Sequence, residues 1–90
     1  MTLDQTIRKE ASFIFKMSSI QMEIDSLKVK ISQLEPLLKE ERENGNQDDY
    51  EDYQSEIVEH EIRIDLLTQA YNEMLKIHKK NTLNLKPIEA

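Results

Sequence analysis

The chain has no cysteine and no tryptophan, and only one glycine and two prolines among its 90 residues. Without cysteine there is no disulfide framework, no thiolate metal site and no cysteine nucleophile, so nothing calls for an oxidising compartment and a cytoplasmic setting is expected. With Gly45 as the single glycine, neither a dinucleotide-binding fingerprint nor a phosphate-binding loop can be written. Sheet proteins also need several turn residues that tolerate positive φ, which one glycine does not supply. An all-α chain is the class that remains. The longest uninterrupted apolar run is Phe13-Ile14-Phe15, far short of a bilayer span, so no membrane association is expected. The first residues also lack the basic segment, apolar run and small-residue cleavage site of a secretory leader.

What is present is a helical period. Apolar residues fall at Phe13, Met17, Ile20, Ile24, Leu27, Ile31, Leu34 and Leu38, alternating four and three apart in the manner of a coiled-coil seam. Thr2 and Gln5 have the spacing of a capping box, which starts this helix near Leu3. Pro36 removes one backbone donor and crowds the carbonyl of Ser32, so a kink is expected there, with helix resuming to about residue 43.

Gly45, within Glu43-Asn44-Gly45-Asn46-Gln47, is placed to end that helix in the left-handed conformation. The turn is expected over 44–47. Asp48 or Asp49 would then cap a second helix over about 48–80, where acidic side chains suit the positive end of the helix dipole. Its seam reads Tyr50, Tyr53, Ile57, His60, Ile64, Leu67, Tyr71, Met74 and His78, again spaced three and four. Two such helices joined by a short turn form a long antiparallel, coiled-coil-like hairpin, a single domain over residues 1–90. Residues 81–90, with Leu83 and Leu85 alternating before Pro87, read as an extended tail that either straps Leu3 and Ile7 or remains loose.

Each helix carries further apolar residues away from its seam. Helix 1 has Phe15, Met22 and Val29 at intervals of seven, with Ala11 beside them and Ile7 and Ile14 between them and the seam. Helix 2 has Val58, Ile62, Leu66, Ala70 and Ile77 about half a turn from its own seam. One hairpin cannot bury both sets, and contiguous exposed apolar surface marks interfaces. Dimerisation to a four-helix bundle is the expected completion, with Phe15, Met22, Val29, Val58, Ile62 and Leu66 as partner-binding residues.

Charge is polarised along the rod. Between Glu35 and Glu56 nine acidic residues face two basic ones, a net of −7, while the whole chain carries −6. At the other end Arg8, Lys9 and Lys16 approach Lys76, Lys79, Lys80 and Lys86 across the hairpin. An acidic tip keeps a protein in solution, but Asp48, Asp49, Glu51 and Asp52 could equally meet a basic site on a partner, as an inhibitor or nucleic-acid mimic would. Direct nucleic-acid binding is not expected, because the basic end has no interleaved aromatics and the chain as a whole is acidic.

Catalytic constellations are missing. His60 and His78 both sit on the seam of helix 2; Glu56 and His60 are four apart, yet a transition-metal site needs three or four ligands. Neither histidine follows a glutamate by three residues, as the carboxylate-bridged di-metal bundles require. Ser12, Ser18, Ser19 and Ser26 have no histidine and carboxylate beside them in sequence. The tyrosines Tyr50, Tyr53 and Tyr71 read as seam packing. The expectation is therefore a non-enzymatic interaction module, a small adaptor, chaperone or regulator, without cofactor, metal or small-molecule substrate, acting as a homodimer with a protein partner. Protonation of a seam histidine could bias such an interface.

Overall fold

The computed structural model of the chain describes residues 3–78 and 85–89. Two helices, α1 (Leu3–Asn44) and α2 (Gln47–Ile77), lie side by side as a helical hairpin, and no strand occurs among the described residues. The molecule measures 64 × 19 × 17 Å, its long axis matching the roughly 63 Å that α1 spans at 1.5 Å per residue. Its radius of gyration is 18.4 Å, against about 12 Å for a globular chain of this length.

The seam decides the packing. Phe13, Met17, Ile24 and Leu27 of α1 and Ile57 and Tyr71 of α2 are buried, and every other seam residue that the spacing identifies is half-buried. Thr68 is buried as well, a position that an apolar pattern does not register. Burial is deepest towards the open end, around Phe13, Met17 and Tyr71, and thins towards the tip, where Leu34, Leu38, Tyr50 and Tyr53 remain half-buried.

α1 runs through Pro36 to Asn44 as one helical element. Pro36 is exposed, so its ring lies outside the seam, although the Ser32 carbonyl still loses its usual amide donor. Gly45 takes φ +75° and donates its N–H to the Glu41 carbonyl at 3.0 Å, closing α1 as a left-handed residue does. The cap of α2 differs from expectation: Asn46, not Asp48 or Asp49, is the N-cap, and its side chain accepts from the Asp49 backbone N–H at 3.3 Å. The turn is two residues shorter than expected, only Gly45 and Asn46 separating the helices, which leaves Asp48 and Asp49 inside the first turn of α2. α2 closes at Ile77, with His78 extended as its C-cap, short of the expected 80.

The two helices are held in register by Arg63, whose Nε donates to Glu23 Oε1 at 2.7 Å while Nη2 lies 2.6 Å from the same oxygen. The tail is placed otherwise than expected. Leu3 and Ile7 stay largely exposed, and Leu85 and Ile88 instead pack beside Ile14 and Leu75 on the Phe13, Met17 and Tyr71 cluster. Asn72 explains this course: its side-chain amide donates to the Ile88 carbonyl at 3.0 Å and accepts from the Ile88 N–H at 2.8 Å. The tail is thereby drawn back along α2 rather than on towards Leu3. Thr2, Leu83 and the expected capping box lie outside the described residues.

Two substitutions test this packing by urea unfolding. Met17→Ala, at 1% exposure, should cost about 3 kcal/mol, whereas Phe15→Ala should cost under about 0.5 kcal/mol on the isolated hairpin. Pro36→Ala restores an amide to the Ser32 carbonyl and should raise stability by about 1 to 3 kcal/mol.

Candidate partner-binding faces

At 100° per residue, a side chain two positions beyond a seam residue emerges on the far side of the helix. Phe15 follows Phe13, Met22 follows Ile20 and Val29 follows Leu27, so the three form a row along the outer edge of α1. Phe15 is 74% exposed, Met22 72% and Val29 55%. Beside them, Ser12, Ser19 and Ser26 recur at the same interval of seven, also exposed, so large and small side chains alternate along this face.

On α2 the pattern is different. Val58, Ile62, Leu66 and Ala70 are spaced by four, a ridge that winds obliquely round the helix, and the first three are 46%, 56% and 60% exposed. This ridge lies on the side of α2 away from α1. The six expected partner-binding residues are therefore two faces on opposite edges of the rod, three residues on each helix. Periodicity within each helix could identify both faces, but their mutual direction follows only from the seam that joins the helices.

The open end has one covered side and one open side. Ile14 and Lys16 leave α1 on opposite sides of the seam, and Leu85 and Ile88 of the tail share the Phe13, Met17 and Tyr71 cluster with Ile14 and Leu75. On the Lys16 side a hollow of about 330 Å³ is lined by Phe15, Lys16, Ser19, Ile20 and Met74. A second, of about 240 Å³, is lined by Phe13, Met74, Ile77 and His78. Met74 borders both, so the apolar surface continues from the outer edge of α1 onto this flank.

His78 ties that end together. Its ring stacks on Phe13, with centroids 3.7 Å apart and planes within 8°. Its Nε2 lies 2.9 Å from Glu10 Oε1, and its backbone N–H donates to the Met74 carbonyl at 3.0 Å. Glu10 was missed in the apolar seam, yet continuing the alternation backwards from Phe13 lands on Glu10, Thr6 and Leu3. The first two are half-buried polar residues that an apolar count passes over. His60, the other seam histidine, is less well placed: its Nε2 is buried without a hydrogen-bond partner, Glu56 Oε1 standing 3.7 Å away.

At the tip, Asp48, Asp49, Glu51 and Asp52 are exposed within the first two turns of α2. Two of them are engaged locally: Asn46 Nδ2 donates to Asp49 Oδ2 at 2.8 Å, and Gln47 Nε2 to Glu51 Oε1 at 2.9 Å. At the opposite end Arg8 pairs with Asp4 at 3.3 Å and Lys76 with Glu73 at 3.4 Å, while Lys79 and Lys80 lie outside the described residues. Among the described residues no group of three or more histidine, aspartate or glutamate side chains is arranged to hold a metal ion. Nor is any described helix long and apolar enough to cross a membrane.

No family model matches the chain, and no curated protein or solved structure matches it at a significant level.

His60→Leu removes a buried nitrogen that lacks a partner and keeps the seam filled. It should raise unfolding stability by about 1 kcal/mol in urea, and a loss of similar size would mean that His60 makes a bond of value in solution.

Proposed function

We propose that the chain is a non-enzymatic protein-protein interaction module, a small adaptor, chaperone or regulator, that works through the apolar outer faces of its two helices. The observation that carries this reading is the exposure of Phe15, Met22 and Val29 on one edge and Val58, Ile62 and Leu66 on the other, after the seam has been filled. A two-helix rod has no third layer to cover them, and surface of this kind is energetically useful when another helix lies on it. Homodimerisation covers one face and leaves the second for a different helical protein, which is the arrangement an adaptor requires. Cytoplasmic action and a homodimeric state belong to the same reading.

The acidic tip supports a second reading, an inhibitor that occupies a basic site on a partner, on the strength of the net −7 between Glu35 and Glu56. Asp48 and Asp49 already serve the start of α2, and Asp49 and Glu51 are held by neighbouring side chains. The apolar faces have no comparable use within the hairpin.

Light scattering tests the first reading. The native chain should run at about twice its 10.7 kDa mass. Met22→Glu combined with Ile62→Glu should run as a monomer with its helical circular dichroism retained, because both positions are exposed on the isolated hairpin. A mass unchanged by the double substitution would sink these faces as the interface.

A further inference from the structure

We infer that the α1 face takes a second copy of this chain in antiparallel orientation, with the two-fold axis passing beside Met22 and the acidic tip of each rod lying against the open end of the other. This deepens the proposed function and rests on it, because it assigns one of the two apolar faces to self-association and fixes its geometry.

The first support is position. α1 runs from Leu3 to Asn44, and Met22 stands close to its midpoint, with Phe15 and Val29 seven residues to either side. A two-fold axis at Met22 sets Phe15 against Val29 of the other copy, and Val29 against its Phe15, so the face is complementary to itself as an isologous interface must be. The alternating serines follow the same symmetry: Ser19 meets Ser26 of the second copy. Small side chains thus flank each large one along the contact and let the helix backbones approach.

The second support is charge. The described residues of the open end, 3–16, 73–78 and 85–89, carry five basic and four acidic side chains, a net of +1, against −7 for the tip segment from Glu35 to Glu56. Antiparallel pairing about Met22 brings the tip of each rod over the open end of its neighbour along the full 64 Å length. Parallel pairing through the same face would stack −7 on −7 and lay Asp25 against Asp25. Individual positions agree with the whole: Asp4 and Lys39 stand almost equally far from Met22 on opposite sides, on the same edge of the apolar row, so each Asp4 meets a Lys39. Like charges in such a contact disfavour the wrong orientation more strongly than unlike ones favour the right one.

The α2 face does not offer this. Its ridge of Val58, Ile62, Leu66 and Ala70 runs obliquely, and ridges spaced by four pack on each other at a steep crossing angle rather than along two rods. It is also bordered by Glu59, Glu61 and Asp65, which a second copy would repeat against itself.

The absence of cysteine makes the test direct. Gln47→Cys places one spin label at each tip, and the distance between labels in the dimer reads the orientation. Tips that each lie 22 residues from the axis should be about 65 Å apart if the rods are antiparallel, and under about 30 Å apart if they are parallel. Association of the native chain should weaken about tenfold from 50 mM to 500 mM NaCl, since the attraction is between opposite charges. Asp4→Lys should weaken it several-fold, and adding Lys39→Asp should restore it. A dimer with a short tip-to-tip distance, or one tightened by salt, would overturn the antiparallel assignment while leaving self-association in place. A dimer that survives Met22→Glu but not Ile62→Glu would overturn the choice of face. A native chain that stays at 10.7 kDa at high concentration would overturn this inference and the homodimeric reading together.

Discussion

Everything in this molecule depends on the limit that two helices can face each other only once. The seam from Phe13 to Leu38 on α1 and from Tyr50 to His78 on α2 is used up in forming the hairpin. It supplies six buried side chains among the described residues, with the threonine Thr68 buried beside them. A chain of 90 residues that spreads its core along 64 Å gains less from burial than the same chain folded into a ball. The apolar residues outside the seam are therefore not spare core. They are the part of the fold that a single hairpin leaves to another molecule.

The polar contacts complement that limit by fixing what an apolar seam leaves free. A row of leucine and isoleucine side chains can slide by one heptad at little cost, whereas the Arg63 to Glu23 contact has one position. At the open end, His78 does several things at once: it ends α2, stacks on Phe13 and meets Glu10 on the other helix. Asn72 holds the tail by its main chain. These groups are spread along the flanks of the rod, and the outer edges of both helices stay clear of them.

Much of this was legible in the sequence. Spacing of three and four gave both seams residue by residue, because a helix repeats every 3.6 residues and only one stripe can face a partner. The single glycine located the reversal. The exposed rows were legible for the same reason, as apolar residues half a turn from a seam. Polar members of the seam were not: Glu10, Thr6 and Thr68 occupy seam or near-seam positions, and their burial depends on partners that lie far away in sequence. The tail escaped for a related reason. Its path is set by the Asn72 amide matching the Ile88 backbone, and a main-chain contact leaves no mark in side-chain periodicity. The cap lies two residues before Asp48 and three before Asp49, because a run of acids hid an earlier asparagine that does the same work.

The uneven depth of the seam has a kinetic meaning. Closing the turn at Gly45 brings the Leu38 to Tyr53 region together for a small loss of chain entropy, yet that is the thinly packed half of the rod. Phe13, Met17 and Tyr71 form the buried cluster, and bringing them together first would cost about 1 kcal/mol more in loop closure. A route that zippers from the tip would move from weak contacts to strong ones and place its barrier late, after most of the rod has formed. On that route the open end, with the Phe13, Met17 and Tyr71 cluster, would be the lock on the hairpin rather than its nucleus.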